Sequence, residues 1–294
     1  MRVCRPTVLV LSLLALSAAA PRQTREPYRD PRLPVADRVR DLLGRMTLEE
    51  KFWQLFMIPG DLDDPANDYP HGIFGLQIST AKRAAADRPQ AADASATARA
   101  HAERINAIQR FFIEKTRLGI PIIPFDEAVH GLAREGATMF PAAIALAASW
   151  DPDLVGRAAA AIAHETGSRG IRQVLSPVVN VADDVRWGRV EETYGEDPYL
   201  ASVMALAFVD AFEKAGIVTT PKHFVANAGE GGRDSYPIDH GERLLMERYF
   251  PPFEAAIRQA HARSIMTAYN SVDGSPATQN RRLLTDILKR GWGF

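Results

Sequence analysis

The chain has 294 residues, of which 46% are hydrophobic and 24% are charged, and its formal net charge is −1. These values are those of an ordinary globular protein with one large domain or two small ones. The near-zero charge, with arginines scattered among acids, argues against nucleic acid and against a charged membrane surface as partners.

The first twenty residues have the organisation of an export signal. Arg2 and Arg5 precede an apolar run from Val8 to Leu16, and small residues follow at positions 17–20. This run is too short to span a bilayer, because a spanning helix needs about 20 apolar residues. The pattern is typical of a cleaved signal peptide. We therefore expect residues 1–20 to be removed and the mature protein to be periplasmic or extracellular.

The mature chain is expected to lack cysteine chemistry and to begin with an irregular arm. Cys4 is the only cysteine and lies inside the expected signal peptide. Its removal leaves no disulfide, no thiol nucleophile and no cysteine-based metal site. Residues 21–45 begin with a Pro- and Arg-rich stretch of low apolar content, and we expect them to form an N-terminal arm on the surface.

Helical and strand-like patterns alternate through the rest of the chain. Thr47 begins a capping box, which predicts a helix that ends before Pro59. Five apolar runs predict strands, at residues 72–79, 120–125, 172–181, 217–221 and 264–269. Helices are expected between them, at residues 93–117, 151–167, 197–216, 242–262 with a break at Pro251-Pro252, and from 283 onward, while residues 140–148 fit either state.

This alternation predicts a parallel α/β fold, either an open doubly wound sheet or a (β/α)8 barrel. No Gly-x-Gly-x-x-Gly follows the first expected strand, so nothing favours a dinucleotide-binding fold. Polar clusters follow several different strands, whereas an open sheet would concentrate them at one switch point. We therefore expect residues 46–294 to form a TIM-type (β/α)8 barrel domain, incomplete at the C-terminus.

Each polar cluster has a structural alternative when it is taken alone. Asp126 follows the run 120–125 and could cap a turn. Lys222 and His223 could be an ordinary salt-bridged lysine beside a core histidine, since adjacent side chains of a regular strand point to opposite faces. Metal binding is disfavoured because no His or Asp partner lies at ligand spacing. Tyr269, at the end of the run 264–269, could belong to the core.

The segment from Arg186 to Glu192 has two interpretations that the local pattern does not separate. Its two arginines, one tryptophan and two acids could form surface ion pairs. A sugar site would look the same, because aromatic faces stack on a pyranose while arginine and carboxylate groups bind vicinal hydroxyls.

Motifs in five ordered segments together resemble the N-terminal barrel domain of glycoside hydrolase family 3, and the resemblance runs from about Leu33 to Phe294. The family pattern reads Met-Thr-Leu-Glu-Glu-Lys, Asp-x-x-His-Gly, Arg-Trp-Gly-Arg with Glu-x-Tyr-Gly-Glu-Asp-Pro, Lys-His-Phe-x-x-Asn, and Ser-x-Met-x-x-Tyr-Asn with Asn-x-x-Leu-Leu. The corresponding segments here are Met46–Lys51, Asp126–Gly131, Arg186–Pro198, Lys222–Asn227 and Ser264–Leu284.

The resemblance implies a retaining hydrolase of terminal non-reducing β-D-glycosidic bonds that needs no cofactor. Val225-Ala226-Asn227 stand where the β-N-acetylhexosaminidase branch carries Pro-Gly-His-Gly, so the β-glucosidase and β-xylosidase branch is implied. The substrate is then a β-linked oligosaccharide or an aryl or alkyl glycoside. The residues implied to bind its non-reducing sugar are Asp126, Arg189, Lys222, His223 and Tyr269, with Arg233 and Glu192 adding contacts.

The two catalytic carboxyl groups of the family, a nucleophilic aspartate and an acid/base glutamate, are implied to follow Phe294. We therefore expect the 294-residue chain to supply the sugar-binding part of an active site and to be inactive alone. The alternative is a naturally truncated, non-catalytic carbohydrate-binding protein.

Overall fold

The computed structural model describes residues 26–63, 68–78, 94–227, 229, 234 and 236–294. The expected signal peptide and Arg233 lie outside the described residues. Of the helices that are described, none has both the length and the apolar character needed to cross a membrane. The chain divides into two compact units, Met1–Thr47 and Leu48–Phe294.

The first unit is more regular than its composition suggests. It contains a 3₁₀ turn at Pro27–Arg29 and a helix, α1, at Val35–Arg45. The expectation of an irregular arm is therefore wrong for residues 35–45. Apolar residues recur there every three or four positions, which is the period of an amphipathic helix. Asp41 Oδ2 accepts a hydrogen bond from the Tyr28 amide at 3.1 Å and so ties the 3₁₀ turn to α1.

The second unit is built on a parallel sheet, as expected for an α/β fold. Five strands pair in sequence order, namely β1 (Met57–Pro59), β2 (Gly75–Gln77), β3 (Ile123–Asp126), β4 (Gln173–Val174) and β5 (Val218–Thr219). All four pairings are parallel. Helix α2 (Leu48–Trp53) precedes β1, and the helices between later strands are α3 (Ala94–Lys115), α4 (Ala143–Ala147), α5 (Pro152–Ser168) and α6 (Pro198–Lys214).

The strand pattern continues beyond β5. After Pro221 the chain forms β6 (Lys222–Phe224), which pairs in parallel with β7 (Met266–Thr267). An isolated bridge between Val178 and Lys222 sets the segment after β4 beside β6. A hairpin of β8 (Ser271–Val272) and β9 (Ser275–Pro276) follows. Among the described strands β7 does not pair with β1. Strands β1 to β7 therefore form an open arc and not a closed barrel.

The connection between β6 and β7 corrects a detail of the predicted helix at 242–262. It contains α7 (Glu242–Leu244), wide π-type turns at Leu245–Tyr249, and α8 (Pro251–Arg258). The two prolines thus lie at the start of a helix, where a missing amide hydrogen costs nothing. A second π-type segment runs from Arg282 to Gly291.

Strand β1 was missed by the sequence analysis. The helix expected to run from Thr47 to before Pro59 ends at Trp53, and residues 57–59 pair with β2 instead. The helical start signal is strong, but it gives no information about where the helix ends. Pairing of Met57 with Gly75 decides the conformation of this segment.

Gly75 permits a close approach of neighbouring strands. A Cβ atom at this position would lie 2.8 Å from the carbonyl oxygen of Ile123 and 3.2 Å from the Met57 side chain. Both distances are shorter than ordinary van der Waals contact, so only glycine fits without displacing β3.

The two largest apolar clusters of the described residues lie between sheet and helices. The larger one packs α5, α6 and α8 on the sheet and includes the buried rings of Phe208, Phe212, Phe224 and Phe253. The smaller one lies between β2 and α3 and includes Leu76, Ile108 and Phe112. Burial of large side chains of this kind is the main favourable contribution to folding.

Helices α5 and α6 begin where the Asp-Pro dipeptides predict. Asp151 and Asp197 accept hydrogen bonds from the amides of Leu154 and Leu200, at 2.9 Å and 2.6 Å. Each aspartate satisfies an amide that has no partner within the helix, and the following proline has the φ angle that the first turn needs.

Replacing the α6 cap, Asp197→Ala, is expected to cost about 1 kcal/mol and to lower the melting temperature by roughly 2 °C. The matched control is Asp210→Ala on the same helix, which removes an exposed pair with Lys214 and should cost under about 0.5 kcal/mol. Thermal denaturation of the 294-residue variants measures both. Equal effects would contradict a capping role.

Candidate functional site

Polar side chains gather where the parallel strands end. Gln77 ends β2, Asp126 ends β3, Lys222 and His223 lie in β6, and Tyr269 follows β7. The carboxyl ends of parallel strands lie along one edge of a sheet, so these side chains share that edge.

The Lys222 ammonium is buried against a carboxylate that the sequence analysis did not select. Its side chain is 4% exposed, and Nζ lies 2.9 Å and 3.1 Å from Oε1 and Oε2 of Glu127. Burial raises the pKa of the Glu127 carboxyl, while the Lys222 ammonium acts in the opposite direction. The Glu127 side chain is 37% exposed, so the carboxylate is the accessible half of the pair.

Asp126 has a different environment from its neighbour Glu127. It is 1% exposed, and its Oδ1 accepts hydrogen bonds from Gln77 Nε2 and from the Glu127 amide, both at 2.9 Å. Its Oδ2 accepts from Arg134 Nε. Protein donors therefore surround Asp126, and the carboxylate that is accessible at this strand end is that of Glu127.

The spacing of the family motif contains the signal for Glu127. In Asp-x-x-His-Gly the acid stands three residues before the histidine, and three residues before His130 the chain has Glu127. His130 anchors the loop, because its Nδ1 lies 2.9 Å from the Phe140 carbonyl oxygen and its own carbonyl accepts from the Phe140 amide at 2.8 Å.

Arg189 lies at the centre of a second buried charge cluster. Its side chain is 6% exposed, and its Nε and Nη2 donate to the two carboxylate oxygens of Glu192 at 2.7 Å and 2.8 Å. Nη1 lies 3.2 Å from Oδ1 of Asp234, which also accepts from Asn227 Nδ2 at 3.3 Å. Burial acts to lower the Arg189 pKa, but the two carboxylates outweigh it and raise the pKa.

The structure separates the two interpretations of the segment 186–192. Arg186 is on the surface, with a 61% exposed side chain paired to Asp184. Trp187 is 3% exposed and packs against Val178, Ala182 and Val190, so it is a core residue and not a stacking platform. Of the two arginines, Arg189 is the one directed into the cluster at the strand ends.

His223 is fully buried and fixed by one asparagine. Its amide and its Nδ1 lie 2.8 Å and 3.0 Å from Asn180 Oδ1, and Asn180 Nδ2 donates to the His223 carbonyl at 3.0 Å. Because an amide oxygen only accepts, Nδ1 carries a proton. The Tyr269 ring lies 5.5 Å from the imidazole, and this tyrosine is 60% exposed.

Both Lys222 and His223 face inward because β6 is irregular. The pairing register with β7 shifts between Lys222 and Phe224. A regular strand would have directed the two side chains to opposite faces. The irregularity that the sequence analysis required at this point is present.

The expected site residues thus fall into connected groups. Glu127 lies close enough to Glu192 for that carboxylate to raise its pKa further, which relates the Lys222 pair to the Arg189 cluster. Arg233 is outside the described residues. Within the described ranges no group of three or more His, Cys, Asp or Glu side chains is arranged to hold a metal ion.

The Lys222 side chain is more deeply buried than that of Glu127. Replacing one partner of this ion pair is therefore expected to destabilise the fold by a different amount from replacing the other. Glu127→Gln leaves a buried ammonium without its carboxylate and is expected to destabilise the fold by about 3 kcal/mol. Lys222→Met leaves a carboxylate that water can reach, and a cost of about 1 kcal/mol is expected. Melting temperatures of the two variants test the order, and a larger loss for Lys222→Met would contradict it.

Comparison with known proteins identifies the family. Residues 47–294 match the model of the Glycosyl hydrolase family 3 N terminal domain. The chain is 32% identical to a periplasmic β-glucosidase of Salmonella typhimurium over 87% of its own length and 32% of that protein. It is 40% identical to a β-xylosidase of Formosa agariphila over 60% of its length and 27% of that protein.

A solved structure agrees with this assignment. A β-glucosidase of Erythrobacter marinus superposes with a TM-score of 0.76 at 34% identity, over 92% of this chain and 37% of that one. The chain therefore spans about a third of the length of such relatives, and its open arc of strands belongs to a TIM-type barrel. By motif order, fold and overall similarity, this chain belongs to glycoside hydrolase family 3, of which it carries the N-terminal domain.

Proposed function

We propose that this chain provides the sugar-binding part of an enzyme that hydrolyses terminal non-reducing β-D-glycosidic bonds, of the β-glucosidase or β-xylosidase type. The observation that carries the proposal is the pair of buried charge clusters, Lys222 with Glu127 and Arg189 with Glu192, at the strand ends of a family 3 domain. The relatives are named as β-glucosidases and β-xylosidases, which supports the same reaction class.

The chemistry of these clusters suits a neutral polyol. Every sugar hydroxyl both donates and accepts a hydrogen bond, and each cluster offers a cationic donor beside a carboxylate acceptor. A phosphate or carboxylate ligand would be repelled by Glu127 and Glu192. The proposed sugar contacts are Glu127, Lys222, His223, Arg189, Glu192 and Tyr269, together with Arg233.

In a retaining glycosidase one carboxyl group forms a glycosyl-enzyme intermediate while another protonates the leaving oxygen and then activates water. The family resemblance implies that these two groups follow Phe294. The residues of this chain would orient the non-reducing sugar, and their hydrogen bonds would strengthen as the oxocarbenium-like transition state forms. Their contribution is positioning and electrostatic stabilisation.

The direct test is hydrolysis of 4-nitrophenyl β-D-glucoside and β-D-xyloside by the full product of the gene that encodes this chain. Turnover of either substrate supports the proposal, and the 294-residue chain alone is expected to give none. Glucose binding by the full product without any turnover would favour the alternative, a non-catalytic carbohydrate-binding protein.

The two arginines of one motif give a matched pair of variants. Arg189→Lys loses the forked contact with Glu192, and kcat/KM of the full product is expected to fall by about 100-fold, since hydrogen bonds to charged groups contribute about 1.5–3 kcal/mol each. Arg186→Lys, three residues earlier, changes an exposed side chain and should alter kcat/KM less than about 2-fold. Similar losses in both variants would contradict the proposed site.

Export is the proposed destination. Residues 1–20 have the organisation of a signal peptide, and the Salmonella relative is named as periplasmic. Expression with the natural N-terminus is expected to give an exported protein that begins at about position 19 to 21, as read by mass spectrometry. A cytoplasmic product that retains Met1–Ala20 would contradict this.

A further inference from the structure

We propose that Asp126 is a positioning residue, which fixes the Glu127 carboxylate against Lys222 without touching the sugar itself. This inference rests on the proposed function for its activity readout. Its structural content is separate: one buried carboxylate at the end of β3 sets the direction of the next residue.

Asp126 is enclosed by donors from three parts of the chain. Gln77 Nε2 reaches it from β2, Arg134 Nε reaches it from the loop after β3, and the third donor is the backbone amide of Glu127. The Asp126 side chain is 1% exposed and that of Arg134 is 17% exposed. A carboxylate with this enclosure has no free approach for a sugar hydroxyl.

The loop that carries Glu127 closes on itself beside Asp126. The Ala133 amide donates to the Glu127 carbonyl at 3.1 Å, and the next residue, Arg134, returns to Asp126. Both ends of the segment 127–133 are therefore held by Asp126, one through the Glu127 amide and the other through the Arg134 guanidinium. Within this segment Gly131 has a φ of +140°, and a Cβ there would lie 2.5 Å from the Thr138 carbonyl oxygen, so only glycine fits against the backbone that follows.

Only a carboxylate satisfies this environment. All three neighbours of Asp126 are donors, and an ionised carboxylate accepts at both oxygens. An asparagine has nearly the same shape, but its NH₂ group would face either Arg134 or the two donors on the other side. Asp126→Asn is therefore expected to release the loop while changing side-chain volume very little.

A double-mutant cycle on the full gene product tests the link to Glu127. We expect kcat/KM for an aryl β-glycoside to fall by about 10-fold in Asp126→Asn and by about 100-fold in Glu127→Gln. If Asp126 acts through Glu127, the double variant should be no worse than Glu127→Gln alone, within about 3-fold. A further 10-fold loss in the double variant would mean that Asp126 acts independently, and would overturn the proposal.

Tyr269→Phe provides the control background, because the Tyr269 ring contacts His223 and follows a different strand, β7. In the Tyr269→Phe background, Asp126→Asn should still lower kcat/KM by about 10-fold. A loss that disappears in this background too would indicate a general structural effect and would contradict a specific role. Arg134→Lys, which keeps the positive charge but lacks the guanidinium geometry, is the milder variant if Asp126→Asn does not fold. It should show the same dependence on Glu127.

Amide hydrogen exchange of the full gene product gives a readout that needs no activity. Asp126→Asn should speed exchange at Glu127 and through residues 128–134, while the β3 amides of Ile123 and Phe125 stay protected. Unchanged exchange at Glu127 would overturn the proposal even if the enzyme is active. If the full product neither binds nor cleaves a glycoside, the proposed function fails, and this measurement still decides whether Asp126 holds the loop.

Discussion

The buried ammonium of Lys222 is the constraint around which the site is arranged. Removing a lysine from water is costly unless a carboxylate and further hydrogen bonds compensate the charge. The compensating group, Glu127, lies 95 residues earlier in the chain, after a different strand. The contact therefore requires that β3 and β6 are both in place, so the site depends on the assembled strands.

Burial gives chemically similar residues different environments at these strand ends. Arg186 and Arg189 share one motif, yet one is a hydrated surface ion pair and the other is enclosed by two carboxylates. Asp126 and Glu127 differ in the same way, one surrounded by protein donors and the other partly open. The buried Arg189 is three residues from the exposed Arg186. The buried Asp126 is adjacent to the partly exposed Glu127. Residue type alone does not distinguish them.

The sequence predicts the fold well where local signals and tertiary packing agree. The Asp-Pro dipeptides predict the starts of α5 and α6 because the cap is a local hydrogen bond. β1 was not predicted, since its three residues become a strand only by pairing with β2. The helix at 35–45 was hidden by the Pro- and Arg-rich composition that precedes it, although its apolar period is clear.

The sequence indicates the region of the candidate site, but not which way each side chain points. The motifs lie at strand ends, and the structure places Arg189, Glu192, Lys222 and His223 in buried clusters there. The choice between Asp126 and Glu127 depends on which way each side chain turns at the end of β3, a question of one residue in register. Trp187 has the composition of a sugar platform, but its ring is enclosed by Val178 and Ala182, a contact that only the folded chain creates.

Gly75, at the start of β2, influences the structure beyond its own position. Because Gly75 lets β2 lie close to the carbonyl of Ile123, it sets the spacing between two strands whose far ends carry Gln77 and Asp126. A methyl group at position 75 would have to separate these strands, and the 2.9 Å hydrogen bond from Gln77 to Asp126 would be stretched by the same movement. The lack of a Cβ atom at position 75 thus partly determines the geometry at the carboxyl ends of β2 and β3.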